Sequence, residues 1–106
     1  MTVKVLGQVY NIIESNKLED DNLENADGYC DFTTHKIVID TFKNSPGSLE
    51  DLEEYRKQVI RHELVHAFLN ESGLDANSWG RDEEIVDWIA IQVVKMVEAF
   101  VVADAF

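Results

Sequence analysis

Apolar and polar positions divide the chain into a β-patterned first half and a helix-patterned second half. From Thr2 to Ile13 the residues are β-branched and partly alternating, with Val3, Val5 and Val9 on one face and Lys4 and Gln8 on the other. A period of two predicts a half-buried strand. The pattern lapses from Glu14 to Asp27, where six acids accompany one lysine, Lys17, and apolar positions are sparse. This predicts a solvated loop with room for a short helix. Tyr29 to Phe32 and Lys36 to Asp40 read as two further short strands, with Thr33-Thr34-His35 as the turn between them. Pro46-Gly47, within Lys43 to Ser48, suits the middle of a type II turn.

Helix signals follow. Ser48 is a plausible N-cap, with Asp51 three residues on where a capping box has Glu. The helix runs to about Ser72, and Gly73 is placed as its stop. Glu53, Lys57 and Arg61, spaced four apart, predict a solvated face of opposite charges. Tyr55, Val59 and Leu69 share an inward stripe with His62 and His66. A second helix runs from about Asp82 to about Phe100, apolar over most of its circumference through Ile85, Val86, Ile89, Val93, Val94, Met96 and Val97. Such a helix is buried, by its own chain or by a partner. Trp79 and Trp88 are expected to pack the junction between the helices. The expected fold is α+β: a small antiparallel sheet of about three strands, then two packed helices, in a single domain over residues 1–106.

Composition narrows the function classes. Apolar residues make up 45% and charged residues 28%, a globular mix rather than a disordered one. Nine Lys+Arg against 21 Asp+Glu leave a net charge of -12. That field repels phosphate backbones, so no nucleic-acid partner is expected, and it suits a cation or a basic partner. Cys30 is the only cysteine, so no internal disulfide forms. No apolar run has membrane-spanning length, and Met1 to Tyr10 carries no signal-peptide core. The expectation is a soluble cytoplasmic protein without a membrane partner.

The chemistry lies in His62-Glu63-Leu64-Val65-His66, an H-E-x-x-H segment. At about 100° per residue the two histidines project from one helix face, one turn apart, where both can bind one Zn²⁺. Glu63 points about a quarter turn away, toward a water on the metal rather than the metal itself. With three histidines and 11 glutamates in the chain, the motif arises by chance at roughly 1%. A catalytic zinc needs a third protein ligand. Glu83, Glu84 and Asp87 stand 17 to 21 residues past His66. Glu84 is in phase with Lys95 and Glu98 and should face solvent. Glu83 and Asp87 are in phase with Ala90, Val94 and Val97, an apolar stripe on which carboxylates require a cationic or hydrogen-bonding partner. Glu83 is therefore the expected third ligand, and Asp87 the acceptor of a ligating histidine's other ring N–H.

His62-Glu63-Leu64-Val65-His66 followed by Glu83-Glu84-Ile85-Val86-Asp87-Trp88-Ile89-Ala90 resembles the gluzincin pattern, H-E-x-x-H and then E-x-x-A-D/N-x-x-A. Within gluzincins it most resembles the ImmA/IrrE-like metallopeptidases, in particular small phage and prophage members. Gly28-Tyr29-Cys30-Asp31 and Ile37-Val38-Ile39 are similar to strand segments of those proteins. The likeness spans roughly residues 28 to 92. Val65 stands where the family often has Gly, and Val86 where it often has Ala. The resemblance implies a minimal zincin core with His62, His66 and Glu83 as zinc ligands and Glu63 as general base. It also implies hydrolysis of a peptide bond in a protein or peptide substrate, in a host cytoplasm if phage-encoded.

On that reading Zn²⁺ activates a water, Glu63 takes its proton, and the Ile37-Val38-Ile39 strand pairs with an extended substrate. His35, Tyr29 and Tyr55 are the side chains to consider as oxyanion stabilisers, and none stands out. Cys30 reads as a buried thiol. The alternative is a zinc-binding, non-catalytic interaction or regulatory protein whose acidic surface docks a basic partner. Oligomeric state is left open.

Overall fold

The structure is a computed structural model that describes residues 1–42, 52–74 and 79–106. The expected Pro46-Gly47 turn and the Ser48 cap with Asp51 lie outside those residues. The described elements are β1 (Thr2–Val5), β2 (Gln8–Ser15), β3 (Gly28–Asp31), β4 (Lys36–Asp40), α1 (Leu52–Glu71) and α2 (Glu83–Val102), with 3₁₀ turns at Asp21–Leu23 and Trp79–Arg81. This is the α+β arrangement expected, strands first and helices after.

The sheet has four strands rather than about three, because the chain reverses at Leu6-Gly7. Both residues have positive φ, 49° and 89°, as a tight two-residue hairpin turn requires. The Thr2–Ile13 segment is thus a hairpin and not one strand. The turn resets the alternation: Val5, Tyr10 and Ile12 point into the core, while Val9 is 47% exposed. Val3 pairs with Tyr10 across the hairpin.

Strand order is β1-β2-β4-β3. The β1/β2 and β3/β4 hairpins are antiparallel, and they join through a parallel β2/β4 pair with Ile12 opposite Ile37. The sheet is therefore mixed. β4 is bonded on both sides, which accounts for the burial of Ile37, Val38, Ile39 and Asp40. β3 lies at an edge. The Glu14–Asp27 segment contributes the end of β2 and a 3₁₀ turn that buries Leu23.

α1 packs across the sheet through Val59 and Ala67, against a core of Val5, Tyr10, Ile12, Ile37, Ile39 and Phe42. It ends as expected. Gly73 has φ 82°, its N–H donates to the Asn70 carbonyl, and Leu74 N–H donates to the Leu69 carbonyl. These are the two bonds of a Schellman stop. The solvated face is partly corrected. Arg61 does not point to water with Glu53 and Lys57; its Nε donates to the Ala90 carbonyl of α2 at 2.7 Å. α2 starts at an Asp82 cap, whose Oδ1 accepts from Glu84 N–H and Ile85 N–H at 2.9 and 3.3 Å.

Only one side of α2 is covered. Val86 and Ala90 are fully buried, whereas Ile91, Val94, Met96 and Phe100 are exposed. Trp79 and Trp88 are not buried in the junction. They are 51% and 56% exposed, since Trp88 sits across the helix from Val86. No described helix is long and apolar enough to cross a membrane.

Gly28 lies where β3 meets α1. A Cβ there would fall 2.9 Å from Val59 Cγ1 and 3.0 Å from the Val38 carbonyl oxygen. Gly28→Ala should lower stability by about 1–3 kcal/mol, read as a reduced urea midpoint. The β3/β4 turn provides a pH test. Asp31 Oδ1 accepts from the Thr33 hydroxyl and N–H at 2.6 and 2.9 Å. These bonds hold the carboxyl down at about 2, below its ordinary 3.8. A depressed folded value contributes stability above pH 3.8, and that stability is lost as pH falls toward 2. Asp31→Asn should therefore destabilise near neutral pH, and urea titrations across the acid range should show the gap from wild type closing.

Candidate metal centre

Midway along α1 the helical period stacks His62 over His66 on the face turned toward α2. The ring centroids are 4.9 Å apart, and the side chains are only 20% and 12% exposed. The first two turns of α2 supply the groups opposite. Because Asp82 caps that helix, Glu83 is its first residue and Asp87 follows one turn on.

Glu83 reaches both rings. Its Oε2 is 3.1 Å from His62 Nε2, and its Oε1 is 3.0 Å from His66 Nε2. Asp87 Oδ1 is 3.2 Å from His62 Nδ1. One ligand atom from each of His62, His66 and Glu83 lies within 4.8 Å of the others. The residues singled out from sequence thus meet in space, with Asp87 on the nitrogen expected for it. Their setting differs in one respect. Glu83 and Asp87 are 70% and 51% exposed, at the rim of the site and not on a buried stripe. Val94, in phase with them, is exposed too. Glu84 faces solvent, as expected.

The donor set fits a divalent ion. Tetrahedral ligands about 2.1 Å from a metal stand about 3.4 Å from one another, close to the Glu83–histidine separations of 3.1 and 3.0 Å. The tautomer fits as well. Donation to Asp87 places a hydrogen on His62 Nδ1 and leaves the Nε2 lone pair directed at the Glu83 carboxylate. Two acceptors facing each other at 3.1 Å need a proton or a cation between them. Glu83 lies equally close to His66 Nε2, at 3.0 Å.

Glu63 is the buried member, 8% exposed. Burial raises its carboxyl above the ordinary value, against the pull of His62 and His66 and with a smaller push from Glu83. It shares the lining of a cavity of about 620 Å³ with His62, His66, Glu83 and Asp87. The opposite wall comes from the end of the acidic loop and from β3, including Asp27, Tyr29 and Cys30.

The three groups considered as oxyanion stabilisers separate here. His35 is not in the lining; it stacks edge-on against Tyr10 at 5.4 Å and lies 4.0 Å from Glu71. Tyr29 lines the cavity but donates its hydroxyl to Asp20 at 2.5 Å. Tyr55 donates to Asp27 Oδ2, and that bond together with burial pushes its hydroxyl up to about 12. Cys30 is half-buried in the wall. Asp27, Gln58 and Arg81 also line the cavity, and sequence reasoning missed them. Position on an inward turn of α1 could have found Gln58. Nothing local marks Asp27 or Arg81, which arrive through the β3 edge and the 3₁₀ turn before α2.

No protein-family model matches the chain, and neither a curated protein nor a solved structure matches it.

Titration with Zn²⁺ against a chromophoric chelator should give one tight site per chain. His62→Ala or Glu83→Ala should abolish it. Asp87→Ala should weaken binding by about 10–100-fold, because the ring it orients stays in place but loses its anchor.

Proposed function

We propose that this protein is a zinc-dependent metallopeptidase that hydrolyses a peptide bond in a protein or peptide substrate. The observation that carries the reading is the convergence of three candidate ligands, two imidazoles and a carboxylate, with a separate buried carboxyl in the same cavity. His62, His66 and Glu83 would hold the ion, a three-ligand set that leaves a position open. Structural zinc sites, by contrast, usually close with four ligands and favour Cys. The likeness of H-E-x-x-H and the downstream E-x-x-V-D to the gluzincin pattern supports the same assignment, and with it Zn²⁺ as the metal.

When bound, the ion supplies Lewis acidity, which polarises a substrate carbonyl and acidifies a water. The chain's own groups handle the proton. Glu63 accepts it from the attacking water and passes it to the leaving amine. Burial suits the residue to this, since a desolvated carboxylate takes up a proton more readily. Asp87 holds His62 in the ligating tautomer. An extended substrate would lie along β3, whose outer edge is open among the described residues and whose residues line the cavity. The Ile37-Val38-Ile39 strand cannot take that part, because both its edges are occupied.

Glu63→Gln is the discriminating variant. It should bind Zn²⁺ as wild type does and lose at least about 100-fold in hydrolysis of a quenched fluorescent peptide library. Hydrolysis at the wild-type rate would refute the role given to Glu63.

A further inference from the structure

The outward side of α2 carries a pattern that the metal centre does not use. Trp88, Ile91, Lys95, Glu98 and Val102 recur at spacings of three, four, three and four, the interval at which one helix meets another along a seam. All five are exposed, across the helix from the buried Val86 and Ala90. Val94 and Val101 flank the stripe at 45% and 59% exposure and widen its apolar face. An exposed, largely apolar helix face on a small acidic protein marks an interaction surface.

The two charges in the stripe indicate what covers it. From Trp88 to Ala103, Lys95 and Glu98 are the only charged residues, so this stretch is neutral on a chain of net charge -12. A basic partner would be drawn to the acidic surfaces instead. A second copy, repelled by those surfaces, meets no net charge here. We propose that the chain self-associates through α2 as an antiparallel dimer with two-fold symmetry. Antiparallel register sets Lys95 opposite Glu98 of the second copy, twice by symmetry, and Ile91 opposite Val102. A parallel pair would oppose lysine to lysine and glutamate to glutamate, so the charges select the orientation. The 20 residues of α2 form a rod of about 30 Å, long enough for this seam. The inference is independent of the metal centre.

Sedimentation equilibrium of the full chain, from low to high micromolar concentration, tests it. The mass should rise from monomer to dimer. Lys95→Glu or Glu98→Lys alone should weaken the dimer by about tenfold or more, and the two together should restore it, because the reversed pair is again complementary. Both positions are exposed, so folding should be unaffected, and circular dichroism of each variant checks this. A mass that stays monomeric at every concentration would overturn the proposal. So would a dimer indifferent to the single reversals.

Discussion

Two imidazoles stacked on one helix face, largely shielded from water, find their carboxylate partners on α2 and not within their own helix. That deficit on α1 is the constraint from which the rest of the arrangement follows. α2 must present acids to His62 and His66, at the right height and on the right side. The devices that accomplish this are spread over the fold. The Schellman stop at Gly73 ends α1 within two turns of His66. The Asp82 cap sets where α2 begins, and so which acid faces which nitrogen. Arg61 bonds the Ala90 carbonyl and ties the helices together one residue from His62. A helix pair held this way keeps its donors within ångströms, which a metal site demands.

The site also concentrates negative charge. Asp27, Glu63, Glu83 and Asp87 share one cavity lining, on a chain that is already strongly acidic. Carboxylates gathered around one cavity repel one another unless a cation intervenes. Glu63 shows the effect in miniature: burial and Glu83 push its carboxyl up while the histidines pull it down. A divalent ion on the two Nε2 atoms and Glu83 would offset that repulsion.

The sheet divides its work between interior and edge. β4, hydrogen-bonded on both sides, is the hydrophobic floor under α1. β3, open on one side among the described residues, forms the cavity wall. Gly28 permits the approach of that wall to α1, since a methyl group there would collide with Val59. Edge position, rather than hydrophobicity, therefore decides which strand can accept an extended ligand. The same distinction applies to α2, one side of which brings Glu83 and Asp87 to the histidines while the other leaves Trp88 and Ile91 exposed.

Local geometry made much of this legible in the residues themselves. A helix places its fourth neighbour on the same face wherever it lies, so the stacking of His62 on His66 followed from spacing, as did the phase that separates Glu84 from Glu83 and Asp87. Caps and stops are equally local, and Gly73 stood where it was expected. What depends on how elements meet was not legible. The hairpin at Leu6-Gly7 was hidden because a leucine seldom adopts positive φ, so the pair reads as continuing a strand. The burial of β4 on both sides, the edge position of β3, and the arrival of Asp27 and Arg81 in the cavity all required strand order, which no single segment encodes. By itself the sequence determined which side chains could share a cation. Only the tertiary structure decided that they do approach one another, because that distance is set by the packing of two helices on a sheet and not by any one helix's own period.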